Sequence, residues 1–265
     1  MKTRNTRGRV TLLVCASLAA LLAGCSATQD LSAKFRRSMQ AQRAHNDGLE
    51  LYKAEKYAEA LPHFRRALTL YPDFDEAMSY LAWSLYHTGQ YAEAARHFGQ
   101  ALKREPRWEG LHDGLGWSRY RQGKYAAAID AFQAALAIDD RYRDADVGIA
   151  YSLFEAKRYA EALPRLERLT REGEGQRFFL PRAKDVEDVR SRLAWTLYYL
   201  GEYERAGVEF RQGIAARPDW YGLHAGLGWT HLKLKNNSAA RQSFERALSL
   251  KPGYPDAKEG LARLR

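Results

Sequence analysis

The chain is 265 residues long, 46% hydrophobic and 12% aromatic, with a formal charge of +10. That composition can bury a core, which excludes a disordered tail-like protein. Two cysteines, Cys15 and Cys25, exclude a disulfide framework, and the positive surplus forms no basic stripe of the kind a nucleic-acid partner needs.

At the start, Lys2, Arg4, Arg7 and Arg9 precede an apolar run from Val10 to Ala23. This pattern predicts a secretory signal peptide, too short to span a membrane. It ends in Leu22-Ala23-Gly24-Cys25, which resembles a bacterial lipobox. The resemblance implies removal of residues 1–24 and lipid attachment to Cys25. Ser26 after the cysteine implies sorting to the outer membrane of a Gram-negative cell, facing the periplasm. An ordinary signal peptide ending near a cysteine is the other reading; the switch to the polar Ser26-Ala27-Thr28-Gln29 favours the lipoprotein. Without the four leader cations, 38 basic residues face 32 acidic ones, and the only thiol left is the lipidated one. Residues 25–40 are predicted to be a linker with a lead-in helix carrying Leu31, Phe35 and Met39.

From there on the chain repeats itself. Ala60, Ala94, Ala128, Ala162, Ala206 and Ala240 are spaced by 34, 34, 34, 44 and 34 residues. Three residues before each stands Tyr57, Tyr91, Tyr125, Tyr159, Tyr203 and then Asn237; four after stands Phe64, Phe98, Phe132, Leu166, Phe210 and Phe244. Each unit holds two apolar stripes at helical spacing, such as Leu81, Ala82 and Leu85, then Ala94, Phe98, Ala101 and Leu102. Gly89, Gly123 and Gly201 fall between the stripes, and Pro72, Pro106, Pro218 and Pro252 close the second helix. A lone helix pair leaves an apolar face bare, so only stacked neighbours can bury it.

These residues resemble the tetratricopeptide repeat family, with units beginning near Ala41, Asp75, Glu109, Arg143, Glu187 and Tyr221. The third unit shows Leu115-Gly116, Tyr120, Tyr125, Ala128, Phe132 and Ala135 in register. Departures are Asp140 for the closing proline, Leu166 and Leu169 for Phe and Ala, and Asn236-Asn237 at the sixth turn. The resemblance implies an all-α, right-handed superhelical solenoid of about six helix-turn-helix repeats over residues 41–254. An insertion near 171–186 interrupts it; there Gly173 and Gly175 break a helix, and Phe178-Phe179-Leu180 either tucks over a junction between units, the favoured reading, or presents a hydrophobic knob to a partner. Residues 255–265 read as a capping helix with Ala257, Leu261 and Leu264 inward.

In this family the residue after the small Gly/Ala of the first helix faces the concave groove. Here the position reads Leu49, Trp83, Trp117, Tyr151, Trp195 and Trp229, and three residues later stand Tyr52, Tyr86, Tyr120, Phe154, Tyr198 and Leu232. Trp83, Trp117, Tyr151, Trp195, Trp229, Tyr86, Tyr120 and Tyr198 are therefore the expected partner-binding residues. The same spacing equally describes rings packed into the core, and the sequence leaves both readings open. A hydroxyl recurs between them at Ser84, Ser118, Ser152, Thr196 and Thr230.

Two units also form a duplicated block: Pro106 to Trp117 returns as Pro218 to Trp229, offset by 112 residues. Gly110, Gly114, Gly222 and Gly226 share a helical face, which predicts close approach of a backbone or ligand, or room for Trp117 and Trp229. His112 and His224 replace a usual core tryptophan and are expected to be buried and hydrogen-bonded. The other histidines show no metal-ligand spacing, and no phosphate loop or nucleophile elbow is present, so neither a cofactor nor catalysis is expected.

The resemblance thus implies a non-enzymatic, lipid-anchored scaffold. It would bind protein or peptide partners of an envelope assembly, secretion or export machine. The alternative is a carbohydrate-binding module for an exported polysaccharide or cell-wall glycan, its aromatic ladder stacking on sugar rings.

Overall fold

The computed structural model describes residues 26–173 and 186–264, with side chains described from 31 to 173 and from 189 to 264. The predicted signal peptide, Cys25 and the Phe178-Phe179-Leu180 run lie outside the described residues. Among the described residues the chain is all helix: α1 Ser26–Lys53, α2 Tyr57–Leu70, α3 Asp75–His87, α4 Tyr91–Leu102, α5 Glu109–Arg121, α6 Tyr125–Ile138 and α7 Arg143–Glu155. They continue as α8 Tyr159–Gly173, α9 Val186–Tyr199, α10 Tyr203–Ala216, α11 Tyr221–Lys233, α12 Asn237–Leu250 and α13 Pro255–Ala262. The second helices begin at the tyrosines (or Asn237) that set the period. The lead-in helix is no separate element: residues 31–40 are part of α1, continuous through Lys53.

The chain divides into two compact units, one ending at Pro106 and one beginning at Arg107. In the first, α1 packs on α2, α2 on α3 and α3 on α4, and the first helices α1 and α3 also touch. In the second, each helix from α5 to α13 packs on its successor. There the first helices α5, α7, α9 and α11, and then α13, also touch one another in sequence, so they line one common face.

The turn inside each hairpin demands a left-handed residue. Gly89, Gly123 and Gly201 supply it with φ of +81°, +73° and +84°. Glu55, Lys157 and Lys235 hold the same place in other hairpins at φ of 59–60°. The turn is the same in both groups: Gly89 N–H donates to the Tyr86 carbonyl and Gln90 N–H to that of Leu85, and Lys157 and Arg158 do likewise to Phe154 and Leu153. A side chain there costs about 1 kcal/mol through its Cβ. Lys157→Gly is therefore expected to raise stability by about 0.5–1 kcal/mol in urea unfolding, and an unchanged or lower midpoint would contradict this account.

Where the third unit lacks its proline, Asp139 ends the helix instead: its carboxylate accepts from the Arg141 N–H at 3.0 Å. Such a local side-chain turn competes with continued helix.

The period-setting residues are the core. Ala60, Ala94, Ala128, Ala162, Ala206 and Ala240 and the rings of Phe64, Phe98, Phe132, Phe210 and Phe244 are fully buried. Leu166 and Leu169 fill the corresponding places in the fourth unit and are buried as well. Asp146 of α7 is also buried, and Arg165 and Arg168 of α8 donate to its two oxygens at 2.5 and 2.6 Å. A buried carboxylate is tolerated when both lone-pair sides are met by cations in this way. The last helix starts on Pro255, which suits a first turn, and buries Ala257 and Gly260 at the end of the stack.

Candidate partner-binding surface

Four tryptophans follow one packing rule. Each lies edge-on to the core phenylalanine of its own hairpin: Trp83 on Phe98 (4.8 Å, 71°), Trp117 on Phe132 (5.2 Å, 72°), Trp195 on Phe210 (5.3 Å, 83°) and Trp229 on Phe244 (5.4 Å, 76°). Three of these indoles also meet the tyrosine three residues on, Trp83 with Tyr86, Trp117 with Tyr120 and Trp195 with Tyr198. That tyrosine in turn meets the one opening the second helix: Tyr86 with Tyr91, Tyr120 with Tyr125 and Tyr198 with Tyr203. A chain of edge-to-face and tilted rings thus runs from core phenylalanine to hairpin turn in three of the hairpins, and the ring quadrupole favours its edge-to-face links.

Of the eight expected partner-binding residues, Trp83, Tyr86, Trp117 and Tyr151 are buried, Trp117 and Tyr151 to 3% exposure. Tyr120, Trp195, Tyr198 and Trp229 are half-buried. Trp83 and Trp117 fill the space beside Phe98 and Phe132, Tyr151 meets Trp117 on the preceding first helix, and Tyr86 lies between Trp83 and Tyr91. The recurring hydroxyl serves its own helix. Ser84, Ser118, Ser152 and Thr230 are buried and donate to the carbonyl four residues back at 2.7–2.8 Å.

In the second unit three first helices meet at one polar cluster. Arg192 of α9 lays its guanidinium 3.7 Å from the centroid of the Tyr151 ring on α7. Its Nη2 donates to the Tyr120 hydroxyl of α5 at 3.4 Å and stands 3.5 Å from Glu155 of α7. The Tyr120 hydroxyl donates to Glu155 at 3.3 Å. Burial pushes the Tyr120 phenol above its ordinary range against the pull of Arg192, with Glu155 adding to the rise. It therefore stays a protonated donor at neutral pH. Nearby, exposed Tyr199 of α9 stacks flat on Tyr159 of α8 (4.6 Å, 15°). At the end of the stack, Arg263 covers Trp229, its guanidinium 5.0 Å from the ring.

Side-chain rings of the chain itself lie against three of the four glycines of this face. Gly226 backs onto the Phe210 ring, and Gly110 and Gly222 sit under the indoles of Trp108 and Trp220. Close approach is real, but a core phenylalanine and capping tryptophans make it, rather than Trp117, Trp229 or a backbone. His112 and His224 are half-buried rather than buried; His224 Nε2 meets the Pro218 carbonyl at 2.8 Å. Among the described residues no group of three His, Cys, Asp or Glu could hold a metal ion, and no helix is long and apolar enough to cross a membrane.

Family models described as tetratricopeptide repeat match residues 51–115, 119–178 and 191–255. The chain belongs to the tetratricopeptide repeat family. No curated protein matches it. Among solved structures, PilF of Pseudomonas aeruginosa is similar, with 18% identity and a TM-score of 0.67 over 86% of this chain and 99% of that one. YrrB, described as a tetratricopeptide protein with an unusual peptide-binding site, gives 18% identity and a TM-score of 0.61 over 75% and 97%. A tetratricopeptide repeat protein from Parabacteroides merdae ATCC 43184 gives 18% and 0.57 over 96% and 98%. At such identities the likeness is one of fold.

Two surface rings escape a reading of the repeat position by position. His87 stacks on Tyr57 (4.1 Å, 14°) as Tyr199 stacks on Tyr159. These two residues are 112 apart, the offset of the duplicated block, and each lies four residues after its tryptophan. The duplication was the available signal: corresponding positions of the duplicated tetratricopeptide units both carry an outward ring, an imidazole at His87 and a phenol at Tyr199.

Proposed function

We propose that this tetratricopeptide protein is a non-enzymatic scaffold, anchored through lipid on Cys25 at the periplasmic side of the outer membrane. It holds protein partners of an envelope assembly, secretion or export machine. The observation that carries the binding role is the Tyr120–Glu155–Arg192 cluster. Three successive first helices of one compact unit join their polar groups on the face they share, and half-buried Trp195 and Tyr198 follow Arg192 about one and two turns further along α9. A rigid surface of tyrosine, tryptophan and arginine offers contact area at small entropic cost and is the usual chemistry of binding hot spots. The peptide-binding site ascribed to the similar YrrB agrees with a peptide or extended segment as the bound element. Attachment to a membrane raises the local concentration of the face, so contacts of modest strength suffice.

A photo-cross-linker in place of Tyr198 in intact cells is expected to trap one or a few defined proteins. Arg192→Ala is expected to weaken the trapped partner about tenfold, the magnitude of one lost charge-assisted hydrogen bond, with the purified variant retaining its helical circular dichroism. No discrete cross-link, or an Arg192→Ala protein binding as tightly as the parent, would sink the reading.

A further inference from the structure

The described side chains of α1 before Ala41 are all exposed or half-buried. α2 has 14 residues, half the length of the 28-residue α1, and Ala41 is the first buried residue among the α1 side chains described from Leu31 onward. Before it, Leu31, Phe35 and Met39 are exposed to 48%, 48% and 55%. Spaced by four, they form one stripe. At about 100° per residue the middle of that stripe lies roughly 140° around the helix from Gly48, which faces Phe64, so it is not a frayed edge of the core. Lys34 and Arg36 stand about 100° to either side of Phe35. Between Leu31 and Asn46 the chain has Lys34, Arg36, Arg37 and Arg43 and no carboxylate.

We infer that residues 31–43 of α1 lie along an anionic lipid surface, with Leu31, Phe35 and Met39 entering the boundary between headgroups and acyl chains and Lys34, Arg36 and Arg43, on the flanks of that stripe, meeting lipid phosphates. The inference rests on the anchor reading. Cys25 immediately precedes the first residue of α1, so a lipid there holds this stripe within a few residues of the bilayer. An apolar stripe flanked by Lys and Arg is the pattern of an interfacial helix. Self-association of two such stripes would bring like charges face to face, which disfavours a second copy as the occupant. A helix fixed to the membrane plane would also set how the hairpins leave the surface, rather than letting them swing on a flexible tether.

All the described helices lie after Cys25, so the chain from Ser26 to Arg265, made without lipid, serves as the test protein. It is expected to float with vesicles of phosphatidylethanolamine and phosphatidylglycerol, more weakly with phosphatidylcholine vesicles, and less as salt is raised. The triple variant Leu31→Ser, Phe35→Ser, Met39→Ser should lose at least about tenfold of that partition. Its thermal unfolding should stay unchanged, because these side chains are exposed. Equal flotation of parent and triple variant, no flotation of the parent, or a parent dimer that the triple variant abolishes would each overturn the inference. Mass spectrometry of the N-terminal peptide from cells tests the anchor separately. Flotation with an unmodified Cys25 would remove the anchor reading and keep the lipid-binding helix, whereas an acylated Cys25 with no flotation would do the reverse.

Discussion

Phe132→Ala is expected to destabilise the protein by about 4 kcal/mol, the range found for emptying a buried aromatic site. The ring is completely buried and meets the edge of Trp117. It is also pinched between two helices: a Cβ built on Gly116 of α5 or Gly148 of α7 would come closer to it than the 3.0 Å that real contacts respect. Three helices, α5, α6 and α7, therefore share this one side chain. Because the glycines already bring their backbones as near as a ring allows, the walls have no side chain with which to close the void. Most of the transfer and cavity terms should appear, rather than being relieved by collapse. Urea unfolding followed by helical circular dichroism measures the loss, and hydrogen exchange should show α5–α7 opening first, since stacked repeats lose stability locally. A loss below about 1 kcal/mol would mean that the ring is not a wedge shared by three helices.

How far the sequence reveals this molecule depends on whether a contact lies within a hairpin or between hairpins. The alanine, phenylalanine and tyrosine positions are dictated by one hairpin closing on itself, so their period announced helix number, helix starts and the left-handed turn at Gly89, Gly123 and Gly201. Leu166 and Leu169 kept the pattern because an apolar side chain of similar bulk meets the same need. The tryptophans were ambiguous for a physical reason: a stripe at helical spacing tells which way a ring leaves its helix, not how far it tips toward a phenylalanine on the next one. Trp83 and Trp117 tip inward to burial, while Trp195 and Trp229 remain half-covered. The Tyr120–Glu155–Arg192 cluster was invisible because its members come from three hairpins and are up to 72 residues apart. Asp146 was passed over as well. A lone acid in a helix reads as solvated until the next helix turns out to carry arginines at Arg165 and Arg168 facing it.

The two glycine-to-alanine changes Gly226→Ala and Gly99→Ala are expected to act in opposite directions, although both sites lie inside helices. Removing a glycine from a helix interior gains about 0.5–1 kcal/mol wherever the methyl group has room, because the unfolded chain loses freedom. Gly99 of α4 is such a place: a methyl group there would meet nothing within 4 Å, and Gly99→Ala should stabilise by that amount. Gly226 of α11 faces Phe210, which is wholly buried, and a Cβ there would stand well inside the 3.0 Å that real contacts respect. The clash involves ring atoms, not the end of a flexible chain, so α10 and α11 must move apart. Overpacking of this kind costs about 1–3 kcal/mol, which exceeds the propensity gain and leaves a net loss. Gly226→Ala combined with Phe210→Leu should recover part of the deficit, since the smaller side chain vacates the contested volume. Additive losses in that double variant, or a gain from Gly226→Ala alone, would show that glycine stands there for a reason other than the ring beneath it.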